Sequence, residues 1–155
     1  MKSANQVAQG IIGFSHEHGD PISNLKLQKL LYYAQAWHLA LYDAPLFGDP
    51  IEAWVHGPVV PSVYGKYKAW SWRPIDVDPE EEDLASQARD HLAEVMDVYG
   101  GLTAYDLEKL THQEDPWRNA RGGLPPDAPS NNVISHEDMR DYYKARVDGE
   151  ENQER

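Results

Sequence analysis

The 155-residue sequence contains no cysteine. That excludes a disulfide framework, a zinc–thiolate site and a cysteine nucleophile, and it suits a reducing, cytoplasmic setting. It also lacks an apolar run of about 18 residues and a basic-then-apolar start, so neither a membrane span nor a secretory signal is expected. Bases are scarce: 14 Lys and Arg stand against 26 Asp and Glu, a net charge of −12. A protein that binds nucleic acid by neutralising phosphates needs a basic surface, so direct nucleic-acid binding is not expected. Phenylalanine is rare, with two residues, whereas there are five Trp and nine Tyr. Aromatics with a polar handle serve both cores and interfaces.

Catalytic patterns are missing too. There is no glycine-rich phosphate loop, no His-Glu-x-x-His, no nucleophile elbow and no EF-hand loop. His91 with Glu94, and His112 with Glu114, are the pairs nearest to a ligand set. A metal-dependent hydrolase built on them would need two helices to bring the pairs together. The final helix sets Arg140, Lys144 and Arg146 against Glu137, Asp138 and Asp141, a poor balance for phosphate contact. No cofactor, metal or catalytic residue is assigned.

What the chain does contain is helical punctuation. Ser3 and Gln6 read as a capping box, with Val7, Ile11 and Phe14 behind them. Ser23 or Asn24 caps a second helix whose stripe Leu27, Leu30, Leu31, Ala34, Trp37 and Leu41 has apolar flanks, which marks it as central. Leu46-Phe47 and Ile51–His56, around Gly48-Asp49-Pro50, read as a short hairpin. Gly57-Pro58 then opens a third helix. Pro79 and the acids after it suit the start of a fourth, running through Leu84, Ala88, Leu92, Val95 and Tyr99. Thr103 with Asp106 caps a fifth, stapled by Leu102 and Leu107. Asp115-Pro116 begins a short turn to Arg121, residues 122–132 form a Gly/Pro-rich loop, and Ser135 caps a last helix to about Val147. The expected fold is mainly α (α+β): a compact domain of about six helices around a central apolar helix, with one short β-hairpin, over residues 1–147. Residues 148–155 form an acidic tail expected to fray.

Three motifs occur in order: Leu25-Lys26-Leu27-Gln28-Lys29-Leu30-Leu31-Tyr32-Tyr33-Ala34; Pro45-Leu46-Phe47, Ile51-Glu52-Ala53-Trp54 and Gly57-Pro58-Val59-Val60-Pro61 with Tyr64; and Leu110-Thr111-His112-Gln113-Glu114-Asp115-Pro116-Trp117. Together they resemble the Panacea-domain family, the SocA-like or phage-associated proteins. The resemblance covers about Val7 to Tyr143. It implies a helical, non-enzymatic antitoxin that neutralises a co-encoded toxin protein by direct binding. In the SocA branch it implies instead an adaptor that delivers the toxin to the ClpXP protease.

Eight residues are candidates for partner binding. Lys26, Lys29, Tyr33, Trp54, His112 and Trp117 lie in the motifs. Trp70 and Trp72 lie in a loop beside Arg73, a composition common at interface hot spots. Asp76–Asp83 carries six acids and the tail a net −3, leaving −3 on the rest of the chain. Charge steering of a partner is therefore expected at the loop beside Trp70 and Trp72.

Overall fold

The structure is a computed structural model that describes residues 1–80 and 84–153, with side chains as far as residue 148. Among the described residues seven α-helices form: α1 (Ala4–Glu17), α2 (Asn24–Tyr42), α3 (Pro61–Tyr67), α4 (Ser86–Tyr99), α5 (Ala104–His112), α6 (Asp115–Arg121) and α7 (His136–Gln153). A 3-10 turn, Lys68–Trp70, follows α3. Strands β1 (Glu52–Trp54) and β2 (Gly57–Val59) pair antiparallel, with Ala53 opposite Pro58. The chain is thus mainly α with one short hairpin, as expected. The helix count is seven because 115–121 closes into a helix of its own.

The caps explain several boundaries. Ser3 Oγ accepts from the Gln6 amide at 3.1 Å, and Gln6 Oε1 accepts from the Ser3 amide at 2.9 Å. Thr103 and Asp106 make the same reciprocal pair at the start of α5. Ser23 caps α2 and Ser135 Oγ accepts from the Asp138 amide. Such caps satisfy amides that a first helical turn leaves without partners. Asp43 ends α2 in the left-handed conformation, φ 55°.

Several expected boundaries are corrected. The hairpin turns at Val55-His56, not at Gly48-Asp49-Pro50, and Gly57-Pro58 belongs to β2, so α3 begins at Pro61. Gly57 takes φ 116°, a conformation open to glycine and strained for other residues. Leu46-Phe47 is no strand: Phe47 makes an isolated parallel bridge to Lys2. Helix α4 begins at Ser86, after the acidic run, of which residues 81–83 lie outside the described residues. The turn that begins at Asp115-Pro116 is the helix α6, with Glu114 as its N-cap, and α7 runs on past Val147 to Gln153.

Helix α2 is the centre. It packs against α1, α3, α4, α5, α7 and β2. Leu27, Leu30, Leu31, Ala34 and Ala36 are buried in the core, but Leu41, in the last turn of the helix, is exposed. Two buried glutamines one heptad apart fix the extended chain against α2. Gln28 Oε1 accepts from the Val60 amide at 2.9 Å. Gln35 Oε1 accepts from the Leu46 amide at 2.8 Å and its Nε2 donates to the Phe47 carbonyl at 2.7 Å. The hairpin gains a third edge from the segment before α7: the Ala53 amide donates to Asn132 O and the Ile134 amide to Ile51 O, both at 2.8 Å. A two-stranded hairpin alone is marginal, so these bonds and the helices beneath hold it. No helix among the described residues is long and apolar enough to cross a membrane.

Candidate partner-binding site

The three motifs meet at one place, where α2, the hairpin and the α5–α6 corner come together. Lys29 sits on the hairpin side of α2, 2% exposed, with Nζ donating to the Leu25 carbonyl at 3.3 Å. A Cβ added at Gly57 would lie 3.4 Å from Lys29 Cε and 3.1 Å from Thr111 Oγ1, so glycine there lets α2, β2 and α5 close on one another. Burial pushes the Lys29 amine down to about 8, only partly offset by Glu108. Beside it lies a groove of about 220 Å³ walled by Leu25, Trp54, Val55, His56 and Tyr64, with Lys29 at its base. The Trp54 and Tyr64 rings meet edge to face at 5.0 Å.

Behind the groove, side chains stack in a row. The His112 ring lies on the Trp117 indole, centroids 4.2 Å apart, and the Arg121 guanidinium lies 4.8 Å from that indole. Trp117 Nε1 donates to the Trp54 carbonyl at 2.8 Å, which ties α6 to the hairpin. Arg121 is buried and its donors go to carbonyls: Ala53 at 3.1 Å, Pro125 at 2.9 Å, Pro126 at 3.3 Å and Ala128 at 2.6 Å. One fork therefore folds the 122–132 loop back against β1. Arg121→Ala is expected to lower stability by about 3 kcal/mol, because these carbonyls lose charge-assisted bonds. Digestion within residues 122–132 by a broad-specificity protease should quicken at least about tenfold, the opening cost having dropped by more than 1.4 kcal/mol. Arg121→Lys should not restore protection, since an ammonium lacks the fork.

Deeper still is a buried carboxylate held by three phenols. Tyr32, Tyr33 and Tyr143 donate their hydroxyls to Glu114 at 2.9, 2.8 and 2.6 Å. All four side chains are buried. Burial holds the Glu114 carboxyl above its usual range, with the phenol bonds pulling it back part of the way. Burial and the adjoining carboxylate push all three phenols well up, so they stay protonated donors. The cluster joins α2, the cap of α6 and α7. Glu114 is thereby committed inside the fold, and His91 Nε2 is committed to the Ala34 carbonyl at 2.8 Å. Among the described residues no three His, Cys, Asp or Glu are grouped to hold a metal ion. The two His–Glu pairs considered for a hydrolase are not assembled into one site.

The eight expected partner-binding residues divide by burial. Lys29, Tyr33 and Trp117 are enclosed, with the contacts given above. As part of the internal frame Tyr33 and Trp117 are not free to meet a partner. Lys26 is half-buried and its Nζ donates to the Gly100 carbonyl at 2.6 Å, tying α2 to the turn after α4. Trp54 and His112 are half-buried around the groove and the stack. Trp70 is half-buried, edge to face with Tyr67, and its Nε1 donates to Asp76 at 3.1 Å. Trp72 alone of the eight stands out, 78% exposed, just after Ser71 with φ 57°. The loop from Asp76 is thus anchored to Trp70, whereas Trp72 is left in solvent.

A family model described as antitoxin SocA-like, Panacea domain, matches residues 27–118, which hold α2 from Leu27 onward, the hairpin and the α5–α6 corner. Antitoxin SocA of Caulobacter vibrioides is 51% identical over 110 residues, covering 63% of this chain and 58% of that protein. The chain therefore spans less than two thirds of that relative's length. No solved structure matches.

Proposed function

The chain belongs to the SocA-like antitoxin family defined by the Panacea domain, and from that premise we propose that it neutralises a toxin encoded beside it by binding that toxin directly. The observation that carries the reading is the family match across the region where the three motifs converge. The architecture suits a binding module. A rigid frame of buried polar bonds carries surface aromatics, Trp54 and Tyr64 over a groove and Trp72 in solvent. Such anchors supply most of the affinity of an interface. On this reading the protein is not an enzyme and acts in the cytoplasm.

Co-expression with the toxin from the adjacent reading frame is expected to restore growth that the toxin alone arrests. Arrest that persists while folded protein is abundant rules the reading out. Trp72→Ala should leave stability within about 0.5 kcal/mol and weaken toxin binding by at least about tenfold. Delivery of the toxin to ClpXP is the second reading, favoured by the 51% identity to Antitoxin SocA. A host without ClpXP separates the two: rescue that survives there supports direct occlusion, and rescue that disappears supports delivery.

A further inference from the structure

The groove over Lys29 differs from other clefts of the fold in its charge. The chain carries 26 Asp and Glu. The cleft between α1 and α4 is lined by Glu17, Glu80 and Asp90, and the one between α6 and α7 by Asp115, Asp138 and Asp141. No acid lines the Lys29 groove. Its walls are Leu25, Trp54, Val55 and Tyr64, continued by Pro129 and Ser130 of the loop that Arg121 holds in place.

The amine at its base lacks a counter-ion. Lys29 is buried, yet among the described residues Nζ has one hydrogen bond, the 3.3 Å bond to the Leu25 carbonyl, and no carboxylate at ion-pair distance. An ammonium has three N–H donors, so two are without an acceptor. Buried charges are paired as a rule, because an unpaired one keeps the cost of leaving water. Glu108 offsets that cost only in part, and its Oε1 already accepts from His56 Nδ1 at 2.8 Å. His112, on the same helix as Glu108, is a base and supplies no negative charge. At neutral pH the amine is still mostly charged, since burial lowers it only to about 8. Its end lies at Leu25, whose side chain is exposed and walls the groove. One long bond and a flexible stem therefore separate the amine from an occupant. Ser130 Oγ accepts from the Asn132 amide at 3.2 Å, and its own O–H has no acceptor among the described residues.

An unneutralised cation, a hydroxyl with a proton to give, apolar walls and no acid complement one chemical group, a carboxylate on a short apolar stem. We propose that this groove receives an aspartate or glutamate side chain of the toxin, with its carboxylate on the Lys29 amine and the Ser130 hydroxyl and its stem between Trp54 and Tyr64. The proposal rests on the antitoxin reading above and names the surface and the partner chemistry for it. It also gives the buried lysine a use. The charge that costs the free chain stability becomes the charge that a bound carboxylate neutralises, and a hydrogen-bonded pair shielded from water is strong.

The test uses the full chain and the purified protein of the adjacent toxin frame, by calorimetric titration. Lys29→Met removes the cation and keeps the volume, and Lys68→Met makes the same change of net charge at an exposed residue. Lys29→Met is expected to weaken binding at least about 30-fold, because it leaves the partner's carboxylate buried without its pair. Lys68→Met should stay within about threefold, as for a charge outside the contact. Unfolding midpoints that are not lowered confirm that both variants fold. Proton uptake is the second readout. At pH 8 about half of the free chains carry the Lys29 proton, and a carboxylate on the amine favours its charged form. Titrations in buffers of different ionisation heat should then show about half a proton more taken up by wild type than by Lys29→Met. The third needs no variant: the Lys29 amine nitrogen resonance of wild type should titrate at higher pH in the complex than in the free chain. Equal binding losses in the two variants, or a Lys29 resonance and proton count that the toxin leaves unchanged, overturn the carboxylate site and leave the antitoxin reading standing. A wild-type chain that does not bind the toxin overturns both.

Discussion

Glu114→Ala is expected to lower the free energy of unfolding by about 4 kcal/mol, near the upper end for a single substitution. Three buried phenols would lose one common acceptor, and each hydroxyl would be left in the core without water. A bond to a charged group contributes roughly 1.5–3 kcal/mol, and a buried donor left unmatched costs about as much again. Denaturant unfolding, with the midpoint and slope fitted separately, measures it. Glu114→Gln retains an acceptor of the same shape and should cost less, about 1–2 kcal/mol. The pair also gives a sign in pH. Burial raises the carboxyl of Glu114 in the folded chain, so the native state holds that proton where the unfolded chain has released it. Stability from this group is therefore full below the unfolded value and is lost as pH rises through the folded one. The advantage of wild type over Glu114→Gln, which cannot titrate, should shrink as pH rises from 4.5. An advantage that grows over that range contradicts the assignment.

Lys29→Met is expected to stabilise the protein at neutral pH. The Lys29 amine falls from 10.5 to about 8 because its charge is buried against the hairpin. Between those values the unfolded chain binds a proton that the native chain has released. Wild-type stability should then rise with pH from about 8 to 10.5, and Lys29→Met should remove that rise. Below pH 8 the native chain carries the buried charge at a cost of up to roughly 3 kcal/mol, the gap between the two values. Methionine fills a similar volume without that cost, as in other replacements of buried charge by apolar groups. Thermal unfolding at pH 7 should move up by several degrees, about 2–4 °C per kcal/mol at this chain length. A midpoint lowered by the substitution would show that Lys29 is paired more strongly than its one long bond to Leu25 indicates.

Local signals in the sequence foretell local structure here. Ser3 and Gln6, Thr103 and Asp106, and Ser135 mark helix starts where the structure has them, because a cap is satisfied within three residues. The apolar stripe of α2 marks the core for the same reason. The sequence points to the wrong hairpin turn because Gly48-Asp49-Pro50 is the stronger turn signal, while β1 and β2 depend on partners far along the chain: Asn132, Ile134 and the side chain of Gln28. The role of Glu114 was hidden in the same way. Its acceptor bonds come from Tyr32 and Tyr33, more than eighty positions earlier, and nothing in its own neighbourhood announces them. Among the site residues, sequence alone identifies which side chains are unusual and not which way they face. Lys29 and Tyr33 are as polar in the sequence as exposed residues, and the fold turns both inward.

Helix α2 touches α1, α3, α4, α5, α7 and β2, and the buried glutamines and tyrosines lock it to each side. Neither α3, α4 nor the Leu46-Phe47 segment can then swing away without breaking a bond that α2 itself anchors. In native-state hydrogen exchange, the amides of residues 27–36 should therefore share one opening energy, that of the whole molecule, while the stretch around Ser71 opens on its own. The groove beside Lys29 is walled in part by α2 itself, through Leu25 and Lys29. Any partner bound at that groove would raise the cost of opening for the entire domain, so its occupancy would be readable as slowed exchange along the whole of α2.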